Sequence, residues 1–194
     1  KINNTLLSPL LQKHLSNNDI ESAINVFIHC VNKYKLTPLK QRIIVNLVSN
    51  IKSSVPNARE NLKRVLKCIS DIHGETVAVV QLITALARTG DVKKLQEIFQ
   101  TQEVNMNLLS HHLRNYATNQ KSILLTIFEA ILNINNVSKG PLCDVMVSVY
   151  EKDNDYEAAS TLLRKMEAAN IKPSKHFKQT FDYLATNNRL KMQN

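Results

Sequence analysis

Three stretches of this chain repeat one pattern: Asn18-Asp19-Ile20-Glu21-Ser22-Ala23, Gly90-Asp91-Val92-Lys93-Lys94-Leu95 and Asn154-Asp155-Tyr156-Glu157-Ala158-Ala159. Each sets a turn-prone residue before an Asp, then a hydrophobic residue, two mostly polar positions and an apolar one. That is how one helix stops and the next begins. Around Asp19, apolar residues recur at Leu7, Leu11 and Leu15 before it and at Ala23 and Phe27 after it, a helical period on both sides. The same offsets give Val79, Ile83, Ala87, Leu95 and Phe99 around Asp91, and Cys143, Val147, Ala159 and Leu163 around Asp155.

Weaker copies turn at Asn119-Gln120-Lys121, with Leu124 and Phe128 following, and at Asn188-Arg189-Leu190, with Phe177, Phe181 and Leu184 preceding. Another turn is expected near Pro56-Asn57-Ala58. Gln120, Asp155 and Arg189 lie 35 and 34 residues apart, so the period is about 35, and the copy beginning at Glu75 is several residues shorter. Pro38, Pro56, Gly74, Gly90, Gly140-Pro141 and Pro173 fall between the periodic segments, where breakers belong. The expectation is an all-α, right-handed α-solenoid of about eleven helices, paired into about five and a half repeats. Residues 1–194 read as a single segment without a linker, a fragment of a longer array whose units need their neighbours to cover apolar faces.

With only three Gly, no Trp and 43% hydrophobic residues spread evenly, the composition suits stacked helices better than sheets. The net charge of +9 favours a polyanionic partner. The chain begins at Lys1 with no leader pattern and has no run approaching the roughly 20 apolar residues of a membrane span, so it reads as an internal piece of a soluble protein. Cys30, Cys68 and Cys143 are odd in number and widely spaced, which argues for buried free thiols rather than disulfides or zinc. The sequons at Asn3 and Asn136 read as chance.

Catalytic chemistry is not legible. His111 and His112 are adjacent, about 100° apart on a helix, and cannot share a metal. Asp153, Asp155 and Glu157 surround a helix start, where the helix dipole favours acids. No phosphate-binding glycine loop or nucleophile motif is present, so no enzyme activity, cofactor, metal or small-molecule substrate is expected.

The run Ala158-Ala159-Ser160-Thr161-Leu162-Leu163-Arg164-Lys165-Met166-Glu167-Ala168-Ala169-Asn170-Ile171-Lys172-Pro173-Ser174 resembles the second helix and exit turn of a pentatricopeptide repeat (PPR), with a fainter version ending Lys35-Leu36-Thr37-Pro38. Tetratricopeptide repeats have a nearly equal period but normally show Trp, Gly and Tyr in the first helix. The resemblance implies single-stranded RNA held along a concave surface of first helices, about one base per repeat, read by two side chains. Its first reading position, eleven residues before each anchor, falls on Ser8, Val80, Asp144 and Lys178, and its second on Ser110 and Ser174. Val80 cannot hydrogen-bond a base edge and Lys178 suits a phosphate, so a base-by-base code is not expected. This degenerate character is similar to that of animal mitochondrial PPR proteins, which implies a mitochondrial matrix location, effects on messenger RNA stability or translation, and a small RRM-type protein partner.

The positive charge is concentrated. Residues 33–67 carry nine Lys and Arg against Glu60 alone, and residues 164–191 carry seven against Glu167 and Asp182. Lys40, Arg42, Lys175 and Lys178 begin first helices and are placed for the concave groove. On the helix from Ala58, the residues Ala58, Leu62, Val65, Leu66 and Ile69 form the expected core face, and Arg59, Lys63 and Lys67 form an outward stripe. The alternative is a docking scaffold that binds a partner subunit or the mitochondrial ribosome without reading RNA, in which case the outward stripe matters instead.

Overall fold

A computed structural model describes residues 1–116 and 119–192 of the chain. Among them are eleven α-helices and no strand: α1 (Asn4–Ser16), α2 (Ile20–Tyr34), α3 (Lys40–Lys52), α4 (Ala58–His73), α5 (Glu75–Arg88), α6 (Val92–Thr101), α7 (Met106–Arg114), α8 (Gln120–Ile131), α9 (Gly140–Lys152), α10 (Tyr156–Ala168) and α11 (Lys175–Met192). They gather into two compact units, Lys1–Gly90 and Asp91–Asn194. In the first unit α1 packs on α2 and α3 on α4, while α2 stacks on α4 and α3 on α5. In the second, α9 packs on α10 and α10 on α11, while α6 stacks on α8 and α9 lies between α7 and α11. Neighbours in sequence pair and alternate helices stack, which is helical-repeat packing.

The three repeated turns fold alike. Asp19, Asp91 and Asp155 each accept a hydrogen bond from the backbone N–H three residues on, at 3.1, 3.2 and 3.1 Å, and so cap α2, α6 and α10. The residue before each is left-handed: Asn18 at φ 56°, Gly90 at 69° and Asn154 at 52°. Only Gly and, at modest cost, Asn adopt that conformation routinely. The amides of Asp19 and Asp155 reach back to the carbonyls of His14 and Tyr150, closing the preceding helix end.

One second-helix position, eight residues past the anchor, carries the largest buried side chains. Phe27, Phe99 and Phe128 are all fully inside, and burying each contributes about 2–3 kcal/mol. On α10 the same position is Leu163, only half-buried, and Leu162 takes the core instead.

Val79 and Phe181, expected in the core, and Cys68, expected as a buried thiol, are likewise only half-buried, and two further expectations fail. No turn forms at Asn188-Arg189-Leu190, which lies inside α11. Asn188 is followed by Arg189, which has no side-chain acceptor to cap a new helix, and the helix formers Leu190, Lys191 and Met192 continue the spiral. On α4, Leu62 and Leu66 are only half-buried, and Asn61, 4% exposed, sits inside instead. It is tolerated there because its amide donates to Glu21 of α2 and its carbonyl accepts from Arg64.

Polar contacts tie successive repeats together at a separation of one period. The Lys52 ammonium donates to the Thr89 carbonyl at 2.7 Å, Lys165 pairs with Glu129 at 3.0 Å, and Thr37 Oγ1 lies 2.8 Å from His73 Nε2. The Lys121 ammonium, near the start of α8, bridges Asp153 at 2.7 Å and Asp155 at 3.3 Å in the α9–α10 turn. The hydrogen bond to Asp153 is the largest effect and raises its pKa above the ordinary lysine value; burial, next in size, opposes it, and the contact to Asp155 adds to the rise.

Candidate nucleic-acid interface

The expected base-reading positions include Asp144 on α9 and Ser174 in the loop between α10 and α11, and in the second unit these two meet. Ser174 Oγ donates to the Asp144 carboxylate at 2.6 Å, joining the exit of α10 to α9, and accepts from the Phe177 amide at 3.0 Å, capping α11. One turn beyond Asp144, Ser148 Oγ donates to the Asp144 carbonyl at 2.8 Å and lies 2.9 Å from His176 Nε2. The hydroxyl has a single proton, so with that proton on the carbonyl the imidazole is the donor to Ser148. Asp144, Ser148, Ser174 and His176 thus form one polar cluster between α9 and α11, with Lys175 and Lys178 exposed beside it on α11. Three residues apart, these lysines share a helix face. The carboxylate accepts only, the imidazole donates to Ser148, and the two lysines carry exposed positive charge.

In the first unit, Ser8 is half-buried and its hydroxyl back-bonds to the Asn4 carbonyl at 2.8 Å. One turn on, the Gln12 carbonyl accepts from the guanidinium of Arg42, on α3. Asn46, a turn beyond Arg42, donates to the Arg42 carbonyl at 3.0 Å. Lys40 stands apart from Arg42. Two residues along a helix is about 200° of rotation, and Lys40 is half-buried, its pKa lowered by loss of water. It also helps, after burial, to lower the pKa of His73 on α4.

The remaining reading positions are closed. Val80 is 2% exposed, and Ser110 is 4% exposed with its hydroxyl unpartnered. Gln12, Asn46, Ser148 and His176 went unread in the sequence. Three of them had a signal: a polar residue stands four after Ser8, Arg42 and Asp144, which extends the polar face of each first helix by one turn.

Arg59, Lys63 and Lys67 are all exposed on α4, and Lys67 pairs loosely with Asp71 at 3.5 Å. His111 is exposed while the His112 ring turns toward Tyr116, 5.7 Å between centroids. Among the described residues no group of three or more His, Cys, Asp or Glu side chains gathers as metal ligands, and no helix is long and apolar enough to cross a membrane. Burial raises the Cys143 thiol pKa to about 12, which keeps it protonated and unreactive.

No protein-family profile matches the sequence. Curated proteins do match, among them the leucine-rich PPR motif-containing protein, mitochondrial, of Mus musculus, 23% identical over 168 residues and 85% of this chain; that of Rattus norvegicus, 22% identical over the same share; and that of Xenopus tropicalis, 22% identical over 176 residues and 89% of this chain. The aligned region is 12% of each relative's length. Their names carry the mitochondrial location that the sequence resemblance implied. The repeated Asp-capped turns, the alternating helix stack and these matches together make the chain a distant relative of the leucine-rich PPR motif-containing proteins.

Proposed function

We propose that this chain is an RNA-binding helical-repeat segment of a mitochondrial post-transcriptional regulator. It holds single-stranded messenger RNA extended along its first-helix surface and so affects the stability or translation of that RNA. The observation that carries the reading is the Asp144–Ser174 contact at 2.6 Å, which joins two expected base-reading residues beside two free-standing lysines. Affinity comes mainly from phosphate neutralisation by Arg42, Lys175 and Lys178. The cluster between α9 and α11 selects for unpaired bases whose edges are open to hydrogen bonding. The chain is one segment of a longer array, and half-buried Lys40 contributes less to the groove than exposed Arg42, Lys175 and Lys178.

The test is fluorescence anisotropy with a labelled single-stranded RNA of about 20 nucleotides, from about 50 to 300 mM salt, beside a duplex of the same sequence. The single strand is expected to bind tightly and to weaken steeply with salt. Lys175→Glu and Lys178→Glu should each make the salt slope shallower by about 0.7. Absence of binding at low salt, or equal binding of duplex, refutes the proposal. The burial of Val80 and Ser110 favours a second reading, a scaffold that docks a partner subunit, a small RRM-type protein or the mitochondrial ribosome. Under it, RNA binding is absent and charge reversal on the outward face breaks the complex.

A further inference from the structure

The exposed face of α4 combines three features that the RNA reading does not use. Arg59, Lys63 and Lys67 stand in one line at successive helical turns, about 6 Å apart. Where that line begins, Arg59 also borders an open recess of about 460 Å³ in the α3–α4 turn, lined by Ile51, Val55 and Ala58 on its apolar side and by Ser54, Asn57 and Glu60 on its polar side. Val55 is 41% exposed, a β-branched apolar side chain left open to water at the mouth of this recess.

We propose that this face docks an acidic amphipathic helix of a partner protein. Carboxylates four residues apart on such a helix repeat at the same 6 Å spacing and meet the three cations in register, while an aliphatic side chain one turn away enters the recess. Single-stranded RNA fits the face less well. Between Ile51 and Gly74 there is no Phe, Tyr or Trp on which a base could stack, and Glu60 lines the recess where a phosphate would approach. The proposal gives the docking reading a surface and a partner chemistry and rests on that reading. RNA binding by the first-helix face stands or falls separately.

The test uses the full chain and a fluorescein-labelled, alanine-based helical peptide of about 20 residues, carrying Glu at three positions four apart and Leu one turn before the first. Its counterparts carry Gln for Glu, or Ala for Leu. The Glu peptide is expected to bind at least about tenfold more tightly than the Gln peptide, and the triple variant Arg59→Glu, Lys63→Glu, Lys67→Glu should lose that preference while keeping its helical circular dichroism. Val55→Ser should weaken binding of the Leu peptide but not of the Ala peptide. RNA anisotropy, run on the same triple variant, should be unchanged. Equal binding of the Glu and Gln peptides, or undiminished binding by the triple variant, overturns the proposal. A triple variant that loses RNA instead makes the stripe a phosphate track and overturns it as well.

Discussion

Asp155 does two jobs that substitution can separate. Its Oδ1 caps α10 by accepting from the Ala158 amide at 3.1 Å, and its Oδ2 lies 3.3 Å from the Lys121 ammonium. Removing a side-chain cap costs about 1 kcal/mol. The ion pair joins groups 42% and 36% exposed, so solvent screening leaves it about 0.5 kcal/mol. Asp155→Ala should therefore cost about 1.5 kcal/mol, about 4 °C in Tm for a chain of this size. Asp155→Asn keeps an oxygen acceptor for the Ala158 amide, and Lys121 keeps its shorter contact to Asp153 at 2.7 Å. That variant should lose only a few tenths of a kcal/mol, about the value of an exposed pair. Urea unfolding followed by far-UV circular dichroism reads both, at low salt and at about 0.5 M NaCl, where the Debye length falls well below 10 Å. Salt should erase most of the Asn deficit and leave most of the Ala deficit. If Asn costs as much as Ala, or salt abolishes the Ala loss, the carboxylate acts through its charge and the capping account of the repeated turns is wrong.

Gly90 tests the backbone half of the same turn. A Cβ added there meets nothing within 4 Å, so the cost of substitution comes from holding φ near 69°. Gly90→Asn, which copies Asn18 and Asn154, should be nearly neutral, whereas Gly90→Val should cost about 1–2 kcal/mol. Equal losses in denaturant melts would exclude the left-handed turn as the reason for glycine. His73 gives a pH signature. Burial first, and the charge of Lys40 second, lower its pKa below 6.5, so the unfolded chain takes up the proton more readily than the folded one. The stability this group confers is complete above pH 6.5 and is lost as pH falls through the lower folded value. The drop in urea midpoint between about pH 7.5 and 5.5 should shrink in His73→Gln, and an unchanged drop would refute the assignment.

The parts of this fold that depend on short stretches were legible, and the parts that depend on neighbours one repeat away were not. Asp19, Asp91 and Asp155 cap their helices as read because a cap is closed within three residues, and Asn18 and Asn154 announce the left-handed step before it. Phe27, Phe99 and Phe128 follow from the period alone. Asn61 did not, because its place in the core depends on Glu21, forty positions back on α2. The extension of α11 through Asn188 was missed for a different reason: Asn can end a helix or sit within one, and the deciding feature was the absence of a capping Asp after it.

The same distinction governs the candidate interface. Ser8, Asp144, Ser174 and Lys178 were named from the repeat, which fixes the positions that recur from unit to unit, and Arg42 and Lys175 from their charge at the start of a first helix. The period could not say whether such a position is open at a given repeat. It is open at Asp144 and closed at Val80 and Ser110, whose side chains face the packed interior. A hydroxyl buried without a partner, as at Ser110, costs about 1–3 kcal/mol. Ser110 is thus an expected contact residue that the packing holds inside with its hydroxyl unpartnered, and the repeat position alone did not reveal this.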